Sequence, residues 1–270
     1  MAFGLNNNKH HSVKHTVTDN PHYRIITVEE PLSIAAESYR RIKTSLEFAN
    51  VDKRLQVIQI CSSMQGEGKS ITALNVAATY AEDGKKVLIV DLDFRRPKLH
   101  RSFRKENKDG IADVLLGNIK LEDAIIHGDN GIDCLHRGSK VPYPTAVLGS
   151  EQIKGIFEEL RKMYEYIIVD CPPILAVSDA AIISKLCDGC VFVISQTKTE
   201  RAAAKESVKI LRDNGVNILG CIFTNISARS SYYYSSKYKY YYQNYYGKDF
   251  APDKNNNNPT PVEEKEEKDN

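Results

Sequence analysis

The chain has 270 residues, which is enough for one large domain or two small ones. Its 41% hydrophobic and 27% charged residues are typical of a globular protein. The net charge of +2 gives no overall electrostatic reason to expect binding to nucleic acid or to a membrane surface. No apolar run approaches the roughly 18 residues that a membrane-spanning helix needs. If the protein acts at a membrane, we therefore expect another chain to bind it there.

The first segment, residues 1–28, is polar and rich in histidine, and we expect it to be flexible. It lacks the apolar segment that is typical of a signal peptide. The six cysteines lie beside apolar residues, as small buried side chains do, and we therefore expect a reduced, cytoplasmic protein. Apolar spacing then predicts a first helix over residues 30–50, which starts near Pro31.

From residue 55 onward, strand-like apolar runs alternate with amphipathic segments. The predicted strands are residues 55–61, 86–91, 132–136, 166–170, 189–195 and 217–223. The predicted helices are residues 69–83, 111–116, 150–164, 178–187 and 201–214, and Asp83-Gly84 and Asn214-Gly215 are good ends for two of them. Because several strands are apolar at nearly every position, the sequence predicts an α/β domain over residues 29–228. Its open, mostly parallel sheet should have helices on both faces.

A phosphate-binding loop, SSMQGEGKS at residues 62–70, lies between the first strand and the following helix. This setting predicts a fold of the P-loop NTPase type. Backbone N–H groups at the start of a helix bind phosphates because they are unpaired and the helix dipole favours anions. We expect Lys69 to reach the β- and γ-phosphates of ATP and Ser70 to ligate Mg²⁺. The candidate nucleotide-binding residues of the loop are Ser63, which replaces the first glycine of the usual pattern, Gly66, Glu67, Gly68, Lys69, Ser70 and Ile71.

Three aspartates lie at the ends of predicted strands, which is where ligands bind in open parallel sheets. Asp91 and Asp93 belong to the segment DLDFRRP, and Asp170 belongs to IIVDCPP. Three carboxylates at this edge can hold Mg²⁺ and its waters. The candidate metal ligands are therefore Ser70, Asp91 and Asp170, and the candidate catalytic residues are Lys69, Asp91, Asp93 and Asp170.

After about residue 228 the alternation stops, and nine tyrosines follow between Ser231 and Tyr246. They are Tyr232, Tyr233, Tyr234, Tyr238, Tyr240, Tyr241, Tyr242, Tyr245 and Tyr246. The run has no Leu, Ile, Val, Phe or Met that would bury these rings in a core. We assign residues 229–248 to this tyrosine cluster and expect residues 249–270, which are acidic and low in complexity, to be disordered. Hydroxyl groups at this density, on a chain with a nucleotide site, suggest an ATP-dependent kinase that phosphorylates its own tail.

Three segments together resemble the Walker A, A′ and B motifs of bacterial tyrosine kinases: S-x-x-x-G-E-G-K-S at 62–70, D-x-D-x-R-R-P at 91–97 and IIVDxPP at 167–173. The chain is most similar to the cytoplasmic kinases of capsular and exopolysaccharide operons, which carry a C-terminal tyrosine cluster and no membrane segment. The resemblance covers roughly residues 25–246. It implies that Lys69 and Ser70 bind ATP and Mg²⁺ and that Asp91, Asp93 and Asp170 organise the metal and the incoming hydroxyl. Asp91 is the residue that we expect to activate the acceptor tyrosine.

The resemblance also extends to two features outside the phosphate loop. Asn225, in GCIFTNIS, resembles a strand-end asparagine that contacts adenine in related ATPases, although a structural turn is an equally good explanation. The family's E-x-x-R-x-x-R motif, which joins the subunits of a ring, reads Glu37, Arg40 and Lys43 here, and a lysine lacks the planar fork of arginine. The alternative is a solvated helix face with Glu37 paired to Arg40 or Arg41. A ring would bring each tail to a neighbouring site, so we expect phosphorylation in trans.

The partners that the resemblance implies are a membrane-bound activator with a cytoplasmic tail, a cognate protein tyrosine phosphatase and further copies of the chain in a ring, but no nucleic acid. It implies a cytoplasmic protein, peripheral to the cell membrane through its activator. The role would be control of the synthesis, chain length or export of a capsular polysaccharide or exopolysaccharide.

Two other functions are compatible with parts of the sequence. A membrane-positioning or partitioning ATPase would share the P-loop, but such proteins usually carry an early lysine in the loop, where this chain has Met64. An iron–sulfur carrier would use the C-x-x-C pair of Cys187 and Cys190. Because Cys187 ends an apolar helix and Cys190 opens an apolar strand, we expect both thiols to be buried instead.

Overall fold

The computed structural model describes residues 23–49 and 55–226. Most of the N-terminal segment that the sequence predicts to be flexible lies outside these residues. The tyrosine cluster and the acidic tail also lie outside them. Among the described residues, no helix has both the length and the apolar character needed to cross a bilayer.

Six parallel strands form one sheet in the order β3-β2-β4-β1-β5-β6. The strands are β1 (Val57–Ser62), β2 (Val87–Asp91), β3 (Ile132–Leu135), β4 (Tyr166–Asp170), β5 (Gly189–Ser195) and β6 (Ile218–Thr224). All six predicted strands are confirmed. β1 and β2 are buried at every position, as expected for strands of a parallel sheet that is covered on both faces.

The helices of the described residues either precede β1 or connect the strands. They are α1 (Ile26–Glu29), α2 (Ile34–Phe48), α3 (Lys69–Glu82), α4 (Leu99–Ser102), α5 (Ile111–Leu115), α6 (Leu121–Ala124), α7 (Pro144–Leu148), α8 (Glu151–Met163), α9 (Asp179–Ile183) and α10 (Arg201–Asp213). The six predicted helices are confirmed, although the predicted helix over 178–187 is divided into α9 and a 3₁₀ turn at Ser184–Leu186. The predicted first helix starts later than expected, where the side chain of Ser33 accepts a hydrogen bond from the N–H of Ala36.

Two hydrophobic cores lie on opposite faces of the sheet. One core joins the sheet to α8 through Ile153, Phe157 and Leu160, and it also includes side chains of α5, α9 and α10. The other core joins the sheet to α2 and α3 through residues such as Leu46 and Leu74. The predicted α/β fold, an open parallel sheet with helices on both faces, is therefore confirmed.

The strand order determines which polar residues meet at the carboxyl edge of the sheet. β4 lies between β1 and β2, so the chain that leaves β1 as the phosphate loop runs beside the ends of β4 and β2. Asp91 of β2 and Asp170 of β4 are register partners. The fold thus brings together three segments that are far apart in the sequence.

Candidate active site

The phosphate loop connects β1 to α3 and turns at two glycines with left-handed backbone conformations. Gly66 has φ +81° and Gly68 has φ +99°, values that residues with a side chain rarely adopt. A Cβ atom on Gly68 would also lie 3.2 Å from the side chain of Thr224. The helix that follows, α3, has 14 residues, and its first-turn N–H groups have no partner within the helix. The loop therefore has the geometry of an anion-binding turn at the N-terminus of a helix.

Lys69 is buried at the start of α3 between two carboxylates. Its ammonium nitrogen lies 3.4 Å from Asp170 Oδ1 and 3.6 Å from Asp93 Oδ2. The same nitrogen is 3.4 Å from the hydroxyl oxygen of Ser70. Burial lowers the pKa of Lys69, but the charges of Asp170 and Asp93 outweigh this effect, so the pKa is raised and the side chain stays charged.

Asp91 and Asp93 hold the turn that follows β2. The carboxylate of Asp91 accepts hydrogen bonds from the N–H groups of Asp93 (3.1 Å), Lys98 (2.9 Å) and Leu99 (3.1 Å). Asp93 accepts one from the N–H of Arg96 at 2.9 Å. Burial and then the charge of Asp170 raise the pKa of Asp91 to about 7. Both oxygens of Asp91 are therefore engaged by the backbone, whereas Asp93 also faces Lys69.

A cavity of about 400 Å³ opens beside Lys69. Its polar lining includes Lys69, Ser70 and Asp93 together with the cations Arg95, Arg96 and Lys98. Its apolar lining consists of Met64 from the phosphate loop and of Pro172, Pro173, Ala176 and Val177 from the segment after β4. Asp91 and Asp170 are fully buried and do not line this cavity. The cavity thus offers positive charge for phosphates next to an apolar wall that could receive a flat ring.

Arg95 at the cavity wall is oriented by an aspartate from another element. Its guanidinium donates to Asp179 Oδ2 at 2.9 Å and to Asp179 Oδ1 at 3.3 Å. The hydroxyl of Thr145 donates to the same carboxylate at 2.6 Å. Arg96 donates to the side-chain oxygen of Gln65 in the phosphate loop. These pairs fix the cationic side of the cavity, and sequence reasoning did not identify Asp179 or Thr145.

The side chain of Glu67 does not line the cavity and instead stabilises the phosphate loop through hydrogen bonds. One carboxylate oxygen accepts from the N–H of Met64 at 2.9 Å, and the other accepts from the hydroxyl of Thr199 at 2.6 Å. The hydroxyl of Thr224 donates to the carbonyl of Glu67 at 2.5 Å. Lys198 donates to the carbonyl of Gly66 at 3.2 Å. Residues after β5 and at the end of β6 therefore hold the loop from the side opposite the carboxylates.

The remaining predicted nucleotide-binding residues lie around this loop. Ile71 lines the cavity, and Ser63 is buried with a hydroxyl that has no hydrogen-bond partner among the described residues. Asn225, just after β6, has φ +50° and donates to the hydroxyl of Ser195 at 2.9 Å. The contact of Asn225 with adenine remains a prediction. The structural turn, which we gave as the alternative role of Asn225, is present.

The residues predicted for the ring interface are engaged within the chain. Arg40 donates to the carboxylate of Glu82 at 2.8 and 3.0 Å, and Lys43 pairs with Asp83. Glu37 lies 3.7 Å from the guanidinium groups of Arg40 and Arg41. The internal pairs of Glu37 that we considered as the alternative are therefore present, and the role of these residues between subunits remains a prediction.

Of the C-x-x-C pair, Cys190 is buried in the core, whereas Cys187 is only partly buried and packs against it. Cys187 donates to the carbonyl of Ile183, and the sulfur of Cys190 lies 2.8 Å from that of Cys61 in the core. Within residues 23–49 and 55–226, no group of three or more His, Cys, Asp or Glu side chains is arranged to hold a metal. These contacts give no support to an iron–sulfur carrier.

Mg²⁺ at a phosphate loop needs few protein ligands, because phosphate oxygens and waters complete its octahedral shell. The residues present fit such an ion. Ser70 and Asp170 offer hard oxygen ligands beside Lys69, and burial also raises the pKa of Asp170, although the charge of Lys69 opposes this effect. Three aspartates around a single lysine create an excess of buried negative charge, which a divalent cation would relieve.

The chain was then compared with known proteins. A model of the AAA domain family matches residues 55–204. Tyrosine-protein kinase YwqD of Bacillus subtilis is 40% identical over 217 residues, which are 79% of this chain and 92% of YwqD. CapB of Staphylococcus aureus is 31% identical over 224 residues, which are 82% of this chain and 94% of CapB. Among solved structures, the kinase domain of the Escherichia coli tyrosine kinase ETK superimposes with a TM-score of 0.73 at 29% identity, and the match covers 80% of this chain and 86% of that domain.

Proposed function

The chain belongs to the family of bacterial tyrosine kinases and is a protein tyrosine kinase, and we propose that its first substrates are the tyrosines of its own C-terminal cluster. The observation that carries this proposal is the buried Lys69, held by Asp170 and Asp93 at the start of α3. It lies in a cavity that also has an apolar lining. Nine tyrosines follow the domain in the sequence. One chain thus carries both a site for the phosphoryl donor and a set of acceptor tyrosines.

We propose that ATP is the donor and that its phosphates lie in the loop between Gly66 and Ser70. Lys69 would contact the β- and γ-phosphates, and Ser70 and Asp170 would hold Mg²⁺, with Asp91 as the further predicted ligand. The bound ion would neutralise the charge that develops on the phosphates. Asn225 would contact the adenine, and Ser63 would belong to the phosphate loop.

Lys69 keeps its charge despite burial because two carboxylates face it. A fixed ammonium group at the transferring phosphoryl stabilises the transition state without reorganisation, and positioning and charge account for most of the rate in this reaction class. The tyrosine ring would rest on the apolar wall of the cavity. This wall follows β4 and includes Pro172 and Pro173.

The tyrosine hydroxyl has a pKa near 10 and needs a proton acceptor at neutral pH. The sequence assigns this role to Asp91, and that assignment remains a prediction. Asp93 is the carboxylate that already lines the cavity, while Asp91 holds the turn beneath it. Comparison of Asp91→Asn with Asp93→Asn separates the two roles. A group that accepts the proton should change the pH profile of transfer, whereas a group that only supports the turn should lower thermal stability.

We propose further that transfer occurs in trans within a ring that uses Glu37, Arg40 and Lys43. A membrane-bound activator with a cytoplasmic tail would bring the chain to the membrane, and a cognate phosphatase would reverse the reaction. The cellular role would be control of capsular polysaccharide or exopolysaccharide synthesis, chain length or export. These proposals follow from the motifs and the tyrosine cluster, together with membership of the family.

The deciding experiment measures phosphotyrosine on the purified full-length chain with Mg²⁺ and ATP. Lys69→Met should abolish the signal, because the loop loses the charge that faces the γ-phosphate. Lys209→Met replaces an exposed lysine on α10 and is the matched control, which should keep the signal. Phosphotyrosine that persists at the wild-type level in Lys69→Met would contradict the assignment of the site.

A mixing experiment tests the direction of transfer. One partner is the Lys69→Met chain, which keeps all acceptors, and the other is an active chain with its nine cluster tyrosines replaced by phenylalanine. Transfer in trans predicts phosphotyrosine on the Lys69→Met chain in the mixture, while neither protein alone gives a signal from the cluster. A silent mixture beside an active wild type would show that transfer occurs within one chain.

A further inference from the structure

A second groove lies directly beside the catalytic cavity. Its volume is about 420 Å³, and it lies between the segment after β4, α9 and the end of α10. Apolar side chains such as Ile174, Leu175, Ile182 and Ile210 form most of its surface. Ala176 and Val177 line both the groove and the catalytic cavity. The two sites therefore share Ala176 and Val177, which we call the ridge between them.

The ridge is fixed relative to the phosphate loop by backbone hydrogen bonds. The N–H of Ile174 donates to the carbonyl of Ser62 at 2.9 Å, and the N–H of Leu175 donates to the carbonyl of Ser63 at 3.2 Å. Both acceptors lie where β1 becomes the phosphate loop. An extended peptide that places one side chain in the catalytic cavity would thus meet the groove at a fixed distance.

The charge of the groove is limited to one residue. Lys185, on the 3₁₀ turn after α9, is the cation that lines it. Its side chain is exposed and forms no ion pair among the described residues. An apolar surface with one available ammonium group suits an aromatic ring that carries a negative group at its far end. Phosphotyrosine has this chemistry.

The tyrosine cluster of this chain has the spacing that the two adjacent sites require. Pairs of tyrosines two residues apart occur at Tyr232 and Tyr234, at Tyr238 and Tyr240, and at Tyr240 and Tyr242. In an extended peptide, side chains two residues apart point to the same side and lie about 7 Å from each other. One ring of such a pair can enter the catalytic cavity while the other crosses the ridge.

We propose that the groove is a second tyrosine subsite, which receives the ring two residues from the acceptor in the cluster of a second copy of the chain. The proposal rests on the proposed function. Lys185 makes the subsite prefer a ring that is already phosphorylated. In each transfer the bond from the γ-phosphorus to the oxygen that leaves with ADP breaks, a bond to the tyrosine oxygen forms, and the phenol proton is released. The first phosphate in the cluster therefore promotes the next transfer.

Synthetic peptides of residues 235–244 test this proposal with the full-length kinase, Mg²⁺ and ATP. Tyr240 is the only acceptor, Tyr238 and Tyr241 are replaced by alanine, and position 242 carries alanine, phenylalanine or phosphotyrosine. None of these three residues accepts a phosphoryl group, so the transferred phosphate is found on Tyr240 alone. A second set uses Tyr242 as the acceptor and varies position 240, which covers both chain directions.

In at least one set, kcat/KM should rise about threefold from alanine to phenylalanine, because an apolar ring is buried. It should rise about threefold again from phenylalanine to phosphotyrosine, because an exposed ion pair with Lys185 forms. Lys185→Glu should remove the second gain and Ile182→Asp the first, while Lys209→Glu, a matched change on α10, should keep both ratios. Equal values for the three peptides in both sets, or unchanged ratios in Lys185→Glu, would overturn the proposal.

Binding of the labelled peptides in the presence of Mg²⁺ and ADP, followed by fluorescence anisotropy, separates this proposal from the proposed function. Tighter binding of the phosphotyrosine peptide to the wild type than to Lys185→Glu supports the subsite even when no peptide is phosphorylated. Absence of transfer to every peptide and to the tail would instead contradict the proposed function. Equal binding of all peptides to both proteins would contradict the subsite alone.

Discussion

The carboxylate of Asp188 joins three segments of the domain at the edge of the sheet opposite the active site. It accepts hydrogen bonds from the N–H groups of Gln56 (2.8 Å) and Val57 (2.7 Å), where β1 begins. It also accepts two from the guanidinium of Arg161 near the end of α8, at 2.7 and 3.0 Å. Asp188 itself precedes β5. One side chain thus fixes the start of two neighbouring strands and the end of a helix.

These contacts predict a stability that depends on pH. Burial alone would raise the pKa of Asp188, but the hydrogen bonds from Arg161 and the two backbone N–H groups outweigh it, so the pKa is lowered. A lowered pKa in the folded state means that the stabilisation is fully present above the unfolded pKa of about 3.9 and is lost as pH falls through the folded value. Asp188→Asn should therefore reduce the free energy of unfolding by about 2 kcal/mol at neutral pH.

Urea denaturation at several pH values measures this effect. The stabilities of the wild type and of Asp188→Asn should differ most at neutral pH and should converge as the pH falls below the lowered pKa of Asp188 in the folded state. Asp213→Asn removes an exposed carboxylate at the end of α10 and is the control, with little change expected at any pH. A difference between wild type and Asp188→Asn that stays constant with pH would show that the charge of Asp188 is not the cause.

Local motifs made many of the site residues predictable from the sequence. The residues after β1, β2 and β4 lie at the predicted strand ends, and the structure places Asp93 and Asp170 within 3.6 Å of the ammonium nitrogen of Lys69. Thr224, by contrast, contacts a residue 157 positions earlier in the chain, and Thr199 contacts one 132 positions earlier. No pattern within either segment indicates such a partner, because the contact exists only once the sheet has formed.

The end of β6 contacts the phosphate loop directly. Thr224 donates its hydroxyl hydrogen to the carbonyl of Glu67, and its side chain packs against Gly68. The described chain ends two residues later, and the tyrosine cluster follows in the sequence. The strand that precedes the cluster therefore also supports the nucleotide site.

Thr224→Val tests this support because valine keeps the shape of threonine and removes only the hydroxyl. The affinity for a fluorescent ADP analogue should fall about fivefold, which corresponds to the loss of a hydrogen bond worth ~1 kcal/mol. Thr224→Ser keeps the hydroxyl and should bind the nucleotide nearly as the wild type does. Equal affinities for all three proteins would show that the loop keeps its conformation without this hydrogen bond.

The apolar pattern of the sequence predicted all six strands and the helices α2, α3, α5, α8, α9 and α10. The helices α1, α4, α6 and α7 were not predicted, because four or five residues show little more than one turn of a 3.6-residue period. The equally short α5 and α9 were predicted within windows longer than the helices themselves, residues 111–116 and 178–187. Among the helices that were not predicted, α4 bears on the site, since the N–H of its first residue, Leu99, binds Asp91.

At the scale of the whole molecule, α2 carries residues with two possible roles, a contact between subunits and ion pairs within the chain. Arg40 binds Glu82 at the end of α3, and its guanidinium also donates to the carbonyl of Pro31 at 2.8 Å. Because Arg40 and Glu82 are only partly buried, their pair adds at most about 1 kcal/mol to stability. An arginine held in this way is already oriented on the surface of the domain, which lowers the entropic cost of a further contact with a neighbouring subunit.

Two substitutions distinguish the internal pair from a subunit contact. Arg40→Gln removes both interactions, whereas Glu82→Gln removes only the internal pair and leaves Arg40 available. If Arg40 joins subunits, Arg40→Gln should lower the oligomeric fraction measured by light scattering, and Glu82→Gln should not. Equal effects of the two substitutions on assembly would assign Arg40 to the internal pair alone.

The same proteins connect assembly to catalysis, because transfer in trans requires an encounter between subunits. The initial rate of tail phosphorylation per molecule should rise with protein concentration in the wild type and in Glu82→Gln, and it should be lower at each concentration in Arg40→Gln. Each transfer adds about −1.5 to −2 charges to a short segment, so the phosphorylated chain should assemble less than the unmodified one. A rate per molecule that is independent of concentration, combined with equal assembly of both forms, would show that each domain acts on its own tail. The proximity of β6 to the phosphate loop would then be the feature that brings the cluster to its site.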